Sequence, residues 1–368
     1  MNMKQNLVRA FVTLCIISAT VTSKAYDIYV DGIYYNIISE ENRTVEVTEP
    51  KSYGLYKGHI IIPPKVIYKG LTYSVTSIED WAFYICDGLT SVEIPNSVTS
   101  IGNNAFQRCG GLTSVEIPNS VTSIGGSCFS NCNNLAEIIV DSGNMYYTSE
   151  DGVLYNKDMS TIINFPGGKS GDFIIPNSVT SIGIAAFDGC TKLTSVEIPN
   201  SVTSIGKAAF QSCGGLTSVE IPNSVTSIGN NAFDWCLNLD SVYCMAETPP
   251  SANATRVFDD NTLKGTLFVP KGTVSAYSTT DPWRNFWNIV EIDEEDFPSG
   301  ITAVADDGNF TVTINGNTIN VGGTGSQRIY VYASDGQCVY CGTKTTVTNL
   351  PGGIYIVKCG NRTKKVAL

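Results

Sequence analysis

The chemistry open to this chain is bounded by a single histidine, His59. A Ser-His-Asp or Cys-His nucleophile would have to recruit it. It stands beside the apolar run Ile60-Ile61-Ile62, where an imidazole more often serves structure. The sequence contains no His-Glu-x-x-His, no Walker loop and no Gly-x-Gly-x-x-Gly. Of 12 cysteines, Cys86, Cys109, Cys132, Cys190, Cys213 and Cys236 share one repeat position. They read as a column of small buried residues, reduced and packed. Parallel Cβ vectors suit a disulfide poorly, and a linear column does not converge on a metal. Cys338-Val-Tyr-Cys341 lacks the helix or second pair that redox or zinc chemistry uses. On a strand its two thiols would face opposite sides, and Cys359 could pair with either.

Glu93, Glu116, Glu197 and Glu220 also share one position, pointing outward. Acid–base catalysis needs two carboxylates in contrasting environments within a cleft. A periodic solvated row offers no such contrast. The chain is therefore read as non-enzymatic, with no catalytic, cofactor-binding or metal-binding residues. The chemistry left is that of a contact surface. Its candidate residues are Ser91, Glu93, Ser114, Glu116, Ser195, Glu197, Ser218 and Glu220.

The element that positions them is a 23-residue repeat. Leu89-Thr-Ser-Val-Glu-Ile-Pro-Asn-Ser-Val-Thr-Ser-Ile101-Gly102 recurs from Leu112, Leu193 and Leu216. Degenerate copies start at Leu135 and Leu239. Val92 and Ile94 alternate with Ser91 and Glu93, as in a strand with one buried face. Pro95-Asn96-Ser97 turns the chain. Val98 and Ile101 form a second extended piece, which Gly102 ends. Ala105, Phe106, Cys109 and Leu112 then fall on one face of a short helical turn. One unit cannot bury its apolar side alone, but stacked units can, at about 4.8 Å per coil. The fold class expected is a β-rich repeat solenoid (strand, turn, strand, short helical turn).

Domain boundaries follow from where the repeat fails. Residues 26–75 read as an N-terminal β cap, residues 76–244 as the repeats. Between Leu135 and Leu193 the register is interrupted by a hairpin insertion at 141–172, expected to project from the stack. Residues 245–298 read as a C-terminal cap, closed by Tyr277, Trp283, Phe286, Trp287 and Ile289. After the acidic, turn-rich stretch at 291–300, residues 299–368 carry short strands separated by Asn315-Gly316, Asp335-Gly336 and Gly352-Gly353. That spacing suggests a small β-sandwich.

The first 25 residues read as a secretory signal: Lys4 and Arg9, a short apolar core from Ala10 to Ala19, then Ser23-Lys24-Ala25. The core is well short of the roughly 20 residues of a membrane span. No later run is long enough to be a transmembrane span. Cleavage would remove Lys4, Arg9 and Lys24 from 23 basic residues, leaving 20 against 34 acidic, a net charge of −14. Nucleic acid and anionic lipid are poor partners for such a chain.

The unit Ile-Pro-Asn-Ser-Val-Thr-Ser-Ile-Gly-x-x-Ala-Phe-x-x-Cys resembles the BspA-like leucine-rich repeats of bacterial surface proteins. It departs from the general leucine-rich pattern, which carries Asn or Cys where Ser97 sits. The resemblance implies the fold and, more loosely, a surface adhesin. Val331-Tyr-Ala-Ser-Asp-Gly336 and Leu350-Pro-Gly-Gly-Ile-Tyr-Ile-Val357 resemble the C-terminal sorting domains of type IX secretion cargo. That likeness implies export through an outer membrane and surface attachment. The alternative is a sandwich that does not serve sorting.

The expected function is that of an exported, cell-surface or extracellular interaction protein or adhesin. Its partner would be a protein, extracellular matrix included, held on the repeat face. A second reading is glycan binding through Tyr146, Tyr147, Trp283 and Trp287. A third is a passive structural role in the cell envelope.

Overall fold

The computed structural model describes residues 26–50, 52–252 and 256–292, and the strands with some of their connections between 311 and 367. The repeats wind into a three-sided β-solenoid. Side one carries the strands Leu89–Glu93, Ser114–Ile117, Glu137–Val140, Gly171–Ile174, Leu193–Glu197, Ser218–Ile221 and Ser241–Cys244. Val115 and Ile117 are buried between half-buried Ser114 and exposed Glu116, the alternation a half-buried strand requires. Side two is a ladder of two-residue strands in strict 23-residue register. Ser100 pairs with Ser123, Ser181 with Ser204 and Ser204 with Ser227, all parallel.

The glycine that ends side two is fixed by crowding. A Cβ on Gly125 would lie 2.4 Å from the Asn103 nitrogen of the preceding coil, and one on Gly229 2.3 Å from the Lys207 nitrogen. No side chain fits where coils approach that closely.

Side three, read from the sequence as a short helical turn, is a run of tight turns rather than a helix. Gln107 N–H bonds to Asn104 O at 3.0 Å and Cys109 N–H to Phe106 O at 3.2 Å. Between them, left-handed residues recur twice per coil: Asn104 (φ 56) and Arg108 (φ 60), then Ser127 (φ 58) and Asn131 (φ 60). This alternation swings every second N–H out of its own coil and onto the next. Asn104, Phe106 and Arg108 donate to Gly126, Cys128 and Ser130 at 2.9–3.0 Å. A helix would keep those donors for itself. The turns give them to the stack.

The core is columnar. Phe83, Phe106 and Phe129 stack at 4.8 and 5.4 Å, nearly parallel. Phe165, Phe187, Phe210, Phe233 and Phe258 form a second column at 4.7–5.5 Å. Each offset-stacked pair contributes about 0.5–1.5 kcal/mol beyond burial.

The two columns meet at the enlarged coil. Its extra residues form a hairpin, Tyr147–Glu150 with Val153–Asn156, and Thr161–Asn164 rejoins side two by pairing with Ser181-Ile182. The hairpin does not project: Val153, Leu154 and Tyr155 are buried, bonded into the sheet on both sides. The coil then omits its side-three turn. Phe165-Pro166-Gly167-Gly168 cuts straight to side one, where Gly168 N–H meets Leu135 O at 2.8 Å. The turns at 127–131 and 185–189 become direct neighbours.

At the N-terminal end, Ile28–Val30, Ile33–Ser39 and Thr44–Val47 form an antiparallel sheet whose last strand runs parallel to Leu71–Ile78. Tyr56 tops the first phenylalanine column, 4.6 Å from Phe83. At the other end, Thr266–Pro270 and Asn288–Ile292 extend side one. Tyr277 and Trp283 are buried over Phe258, with Tyr277 Oη donating to Ala246 O at 2.7 Å and Trp283 Nε1 to Pro250 O at 3.0 Å. Beyond residue 310 lie a three-stranded and a four-stranded antiparallel sheet. Ile319, Val321, Ile329, Val331, Val347, Val357 and Cys359 form their shared core. Cys338 and Cys341 face Tyr332 and Tyr330 across one pair of strands; their side chains lie outside the described residues, as does the whole 1–25 segment.

Candidate interaction surface

Strand register arranges the outward residues of side one in two rows. The first runs His59, Ser91, then Ser114, Glu137, and beyond the insertion Asp172, Ser195, then Ser218, Ser241, Thr266, Asn288. The second runs Ile61, Glu93, then Glu116, Ile139, and beyond the insertion Ile174, Glu197, then Glu220, Tyr243, Phe268, Val290. All eight candidate residues lie on these rows. They do not form one uniform acidic stripe. The insertion divides them into two groups of four. Glu93 and Glu116 are exposed, whereas Glu197 and Glu220 are half-buried.

Each acidic pair is flanked by apolar side chains that repeat-by-repeat reading of the glutamates passed over. Ile61 is 57% exposed and Ile139 44%. Tyr243 stacks on Phe268 at 4.5 Å. The signal was present in the degenerate copies. Ile139 and Tyr243 stand four residues after Leu135 and Leu239, as Glu93 does after Leu89.

The side-one sheet is interrupted where glutamate neighbours glutamate. Leu89–Glu93 pairs with Gly58–Ile61, and Ser114–Ile117 with Glu137–Val140, but these two pairs belong to separate sheets. The same break falls between Leu193–Glu197 and Ser218–Ile221. Like charges side by side on adjacent strands oppose pairing. The first break opens into a cleft of about 420 Å³, lined by Glu93, Ile94, Pro95, Glu116, Pro118 and Asp141.

His59, expected to be structural, sits on this face. Its Nδ1 is 2.7 Å from Ser91 Oγ and its Nε2 3.1 Å from Glu93 Oε1. Hydroxyl and carboxylate on opposite ring nitrogens is the connectivity of a Ser-His-acid relay. Here all three side chains stand at the surface, where water competes for every contact and screens the charges. The network orients His59 and ties two coils of the face together.

The four aromatics considered for glycan contact do not assemble. Trp283 is buried in the cap, and half-buried Tyr147 accepts the Ile124 N–H on its hydroxyl at 2.9 Å. Tyr146 and Trp287 are exposed, one on the insertion and the other on the cap.

The cysteine column is packed and locally bonded. Cys109, Cys132, Cys213 and Cys236 each donate to the phenylalanine carbonyl of the coil before, at 3.0–3.1 Å. Burial pushes the Cys236 thiol up to about 12 and raises Cys190 and Cys213 as well. Among the described residues, no group of three or more His, Cys, Asp or Glu is placed to hold a metal ion. Among the same residues, no helix is long and apolar enough to cross a membrane.

Six copies of the BspA type leucine rich repeat region match residues 69–170 and 164–254, half of the chain. The chain belongs to the BspA-type leucine-rich repeat family. The matched span carries all eight candidate residues. Among solved structures, a leucine-rich repeat protein from Eubacterium ventriosum is 22% identical, over 66% of this chain and 76% of its own, with a TM-score of 0.43. The pneumococcal vaccine antigen PcpA is 16% identical over 73% of this chain and 99% of its own, with a TM-score of 0.40. A leucine-rich cell surface protein from Faecalibacterium prausnitzii is 21% identical over 73% and 96%, with a TM-score of 0.32. No curated protein matches the chain.

Proposed function

We propose that this BspA-type protein is exported and held at the cell surface, where side one of the solenoid docks a protein partner. The observation that carries the reading is the composition of the second row. Carboxylates alone would make a solvated face, and apolar residues alone would make a liability. Glu93 and Glu116 between Ile61 and Ile139 give both charge for steering and area for burial. Extended strand faces are what solenoids offer to partners. The partner that fits is a protein with Lys or Arg set among apolar residues, an extracellular-matrix protein among the candidates. Export rests on the signal-like first 25 residues, and attachment on the likeness of the C-terminal strands to sorting domains.

The test is binding of the full mature chain to a panel of matrix proteins at two salt concentrations, beside a variant with Glu93, Glu116, Glu197 and Glu220 changed to Lys. The expected result is saturable binding that weakens with salt and is lost in the variant. Binding that survives the four changes would remove side one from the reading. A passive envelope role would follow if no protein or saccharide bound at all.

A further inference from the structure

A different side of the molecule carries an exposed aromatic cluster that the repeat does not explain. On side three of the first coil, Trp81 meets Tyr84 edge-to-face at 4.8 Å, and Tyr84 meets Tyr53 at 5.1 Å. Tyr53 is 58% exposed and Trp81 39%. The cluster joins two separate segments, since Tyr53 lies in the cap loop that carries Tyr56.

Capping of the core does not account for these rings. Capping the phenylalanine column is done by Tyr56, which is buried on Phe83; Tyr53 buries far less. Trp81 also occupies a left-handed backbone position (φ 65), which disfavours a bulky side chain. Later coils fill the equivalent position with Asn104, Ser127, Ala185, Ala208 and Asn231. Trp235 shares the left-handed backbone and is more exposed, at φ 59 and 58%; what sets Trp81 apart is its contact with Tyr84 and, through it, with Tyr53, which gathers three partly exposed rings in one place.

The neighbours on the next coil indicate the ligand class. Trp81 N–H bonds to Asn103 O and Ile85 N–H to Gln107 O, both at 3.0 Å. This register runs residues 103–108 alongside the coil that carries the rings; the Asn103 side chain is taken up by Asp80 and the Gly126 N–H, and the Arg108 charge acts on Asp188, which leaves Asn104 and Gln107 as the polar neighbours. Aromatic rings next to planar amide groups suit a molecule with apolar C–H faces and many hydroxyls. We infer that Tyr53, Trp81 and Tyr84 form a saccharide-stacking platform, with Asn104 and Gln107 of the next coil hydrogen-bonding the sugar hydroxyls. The site is independent of side one and of the aromatics on the insertion and the C-terminal cap.

The experiment uses the full mature chain and its Trp81→Asn and Trp235→Ala variants. The probes are cello-, xylo-, manno- and chito-oligosaccharides on an array, followed by calorimetric titration of any hit. Trp235 is also exposed and left-handed (φ 59), but no ring contacts of the platform involve it. Binding of at least one saccharide is expected, weakened tenfold or more by Trp81→Asn and unchanged by Trp235→Ala. Because Asn suits the left-handed position, Trp81→Asn should melt no lower than the parent. No saccharide binding would overturn the proposal, as would equal binding by Trp81→Asn. A marked fall in melting temperature for Trp81→Asn would make Trp81 a structural residue and overturn it too. A protein ligand lost in Trp81→Asn, without any saccharide, would overturn the ligand class. None of these outcomes depends on the side-one glutamates.

Discussion

Asn131 Nδ2 donates to Asp188 Oδ2 at 3.1 Å, joining two residues 57 apart in sequence across the seam of the solenoid. Asn131 N–H also meets Asp188 O at 3.1 Å. The intervening coil has given up its side-three turn, so the turns before and after it stack directly. The Asp188 carboxyl is thereby enclosed, and burial raises it to about 6 despite the Ser130 and Asn131 side chains and the Arg108 charge that lower it.

A pH effect on stability follows from that enclosure. An aspartate in the unfolded chain titrates near 3.9. The folded value is higher, so the fold favours the protonated acid. This contribution is complete below about pH 4 and is lost as pH rises through 6. Its size is on the order of 3 kcal/mol. Asp188→Asn should remove it, so that the variant gains on the parent between pH 4 and 7. Urea denaturation midpoints across that range would show the gain, and parallel curves would show that Asp188 is not enclosed.

The phenylalanine column predicts a strongly position-dependent cost. Phe210 stacks on Phe187 at 4.7 Å and on Phe233 at 5.2 Å. Phe210→Ala should destabilise by about 3–5 kcal/mol, the usual range for a buried phenylalanine. Guanidinium unfolding measures it. A cost below about 1 kcal/mol would mean that the column is not the core of the stack.

Thiol chemistry should be nearly silent in the folded protein. The column cysteines are buried, and the thiolate is the reactive form. Brief iodoacetamide treatment at pH 8 should leave Cys109, Cys132, Cys190, Cys213 and Cys236 unmodified, with full labelling after denaturation. Peptide mass mapping gives the answer residue by residue. Rapid native labelling at any of them would show that the coils open.

The broken side-one sheet makes a charge prediction. Neutralising Glu116 removes repulsion from Glu93 without touching a backbone bond. Glu116→Gln should leave stability unchanged or raise it by a few tenths of a kcal/mol, with the gain fading in high salt. A loss above about 1 kcal/mol would assign Glu116 a structural partner instead.

How much of this was legible in the sequence depends on whether a feature is confined to one coil. The 23-residue period and the alternation of Val92 and Ile94 with Ser91 and Glu93 are local. So is the recurrence of Phe and Cys at fixed places. They determined the solenoid, its parallel register and its two columns, because a unit that cannot bury its own apolar face must stack on its copies. The shape of side three was not legible. Apolar spacing at 105, 106, 109 and 112 fits one turn of helix. The left-handed Asn104 and Arg108 instead send alternate donors to the next coil, a choice that only the neighbouring chain makes favourable.

The candidate surface divides in the same way. The sequence determined which residues face outward on side one, since strand alternation does so within five residues. Only the tertiary structure decided what stands beside them. It placed His59 against Ser91 and Glu93, set Ile61 and Ile139 beside the acidic pair, and parted the strands where Glu93 meets Glu116. Those relations lie between coils, about 23 or more residues apart in the chain. Their energies depend on the residue in the adjacent coil, and a repeat read one copy at a time does not contain it.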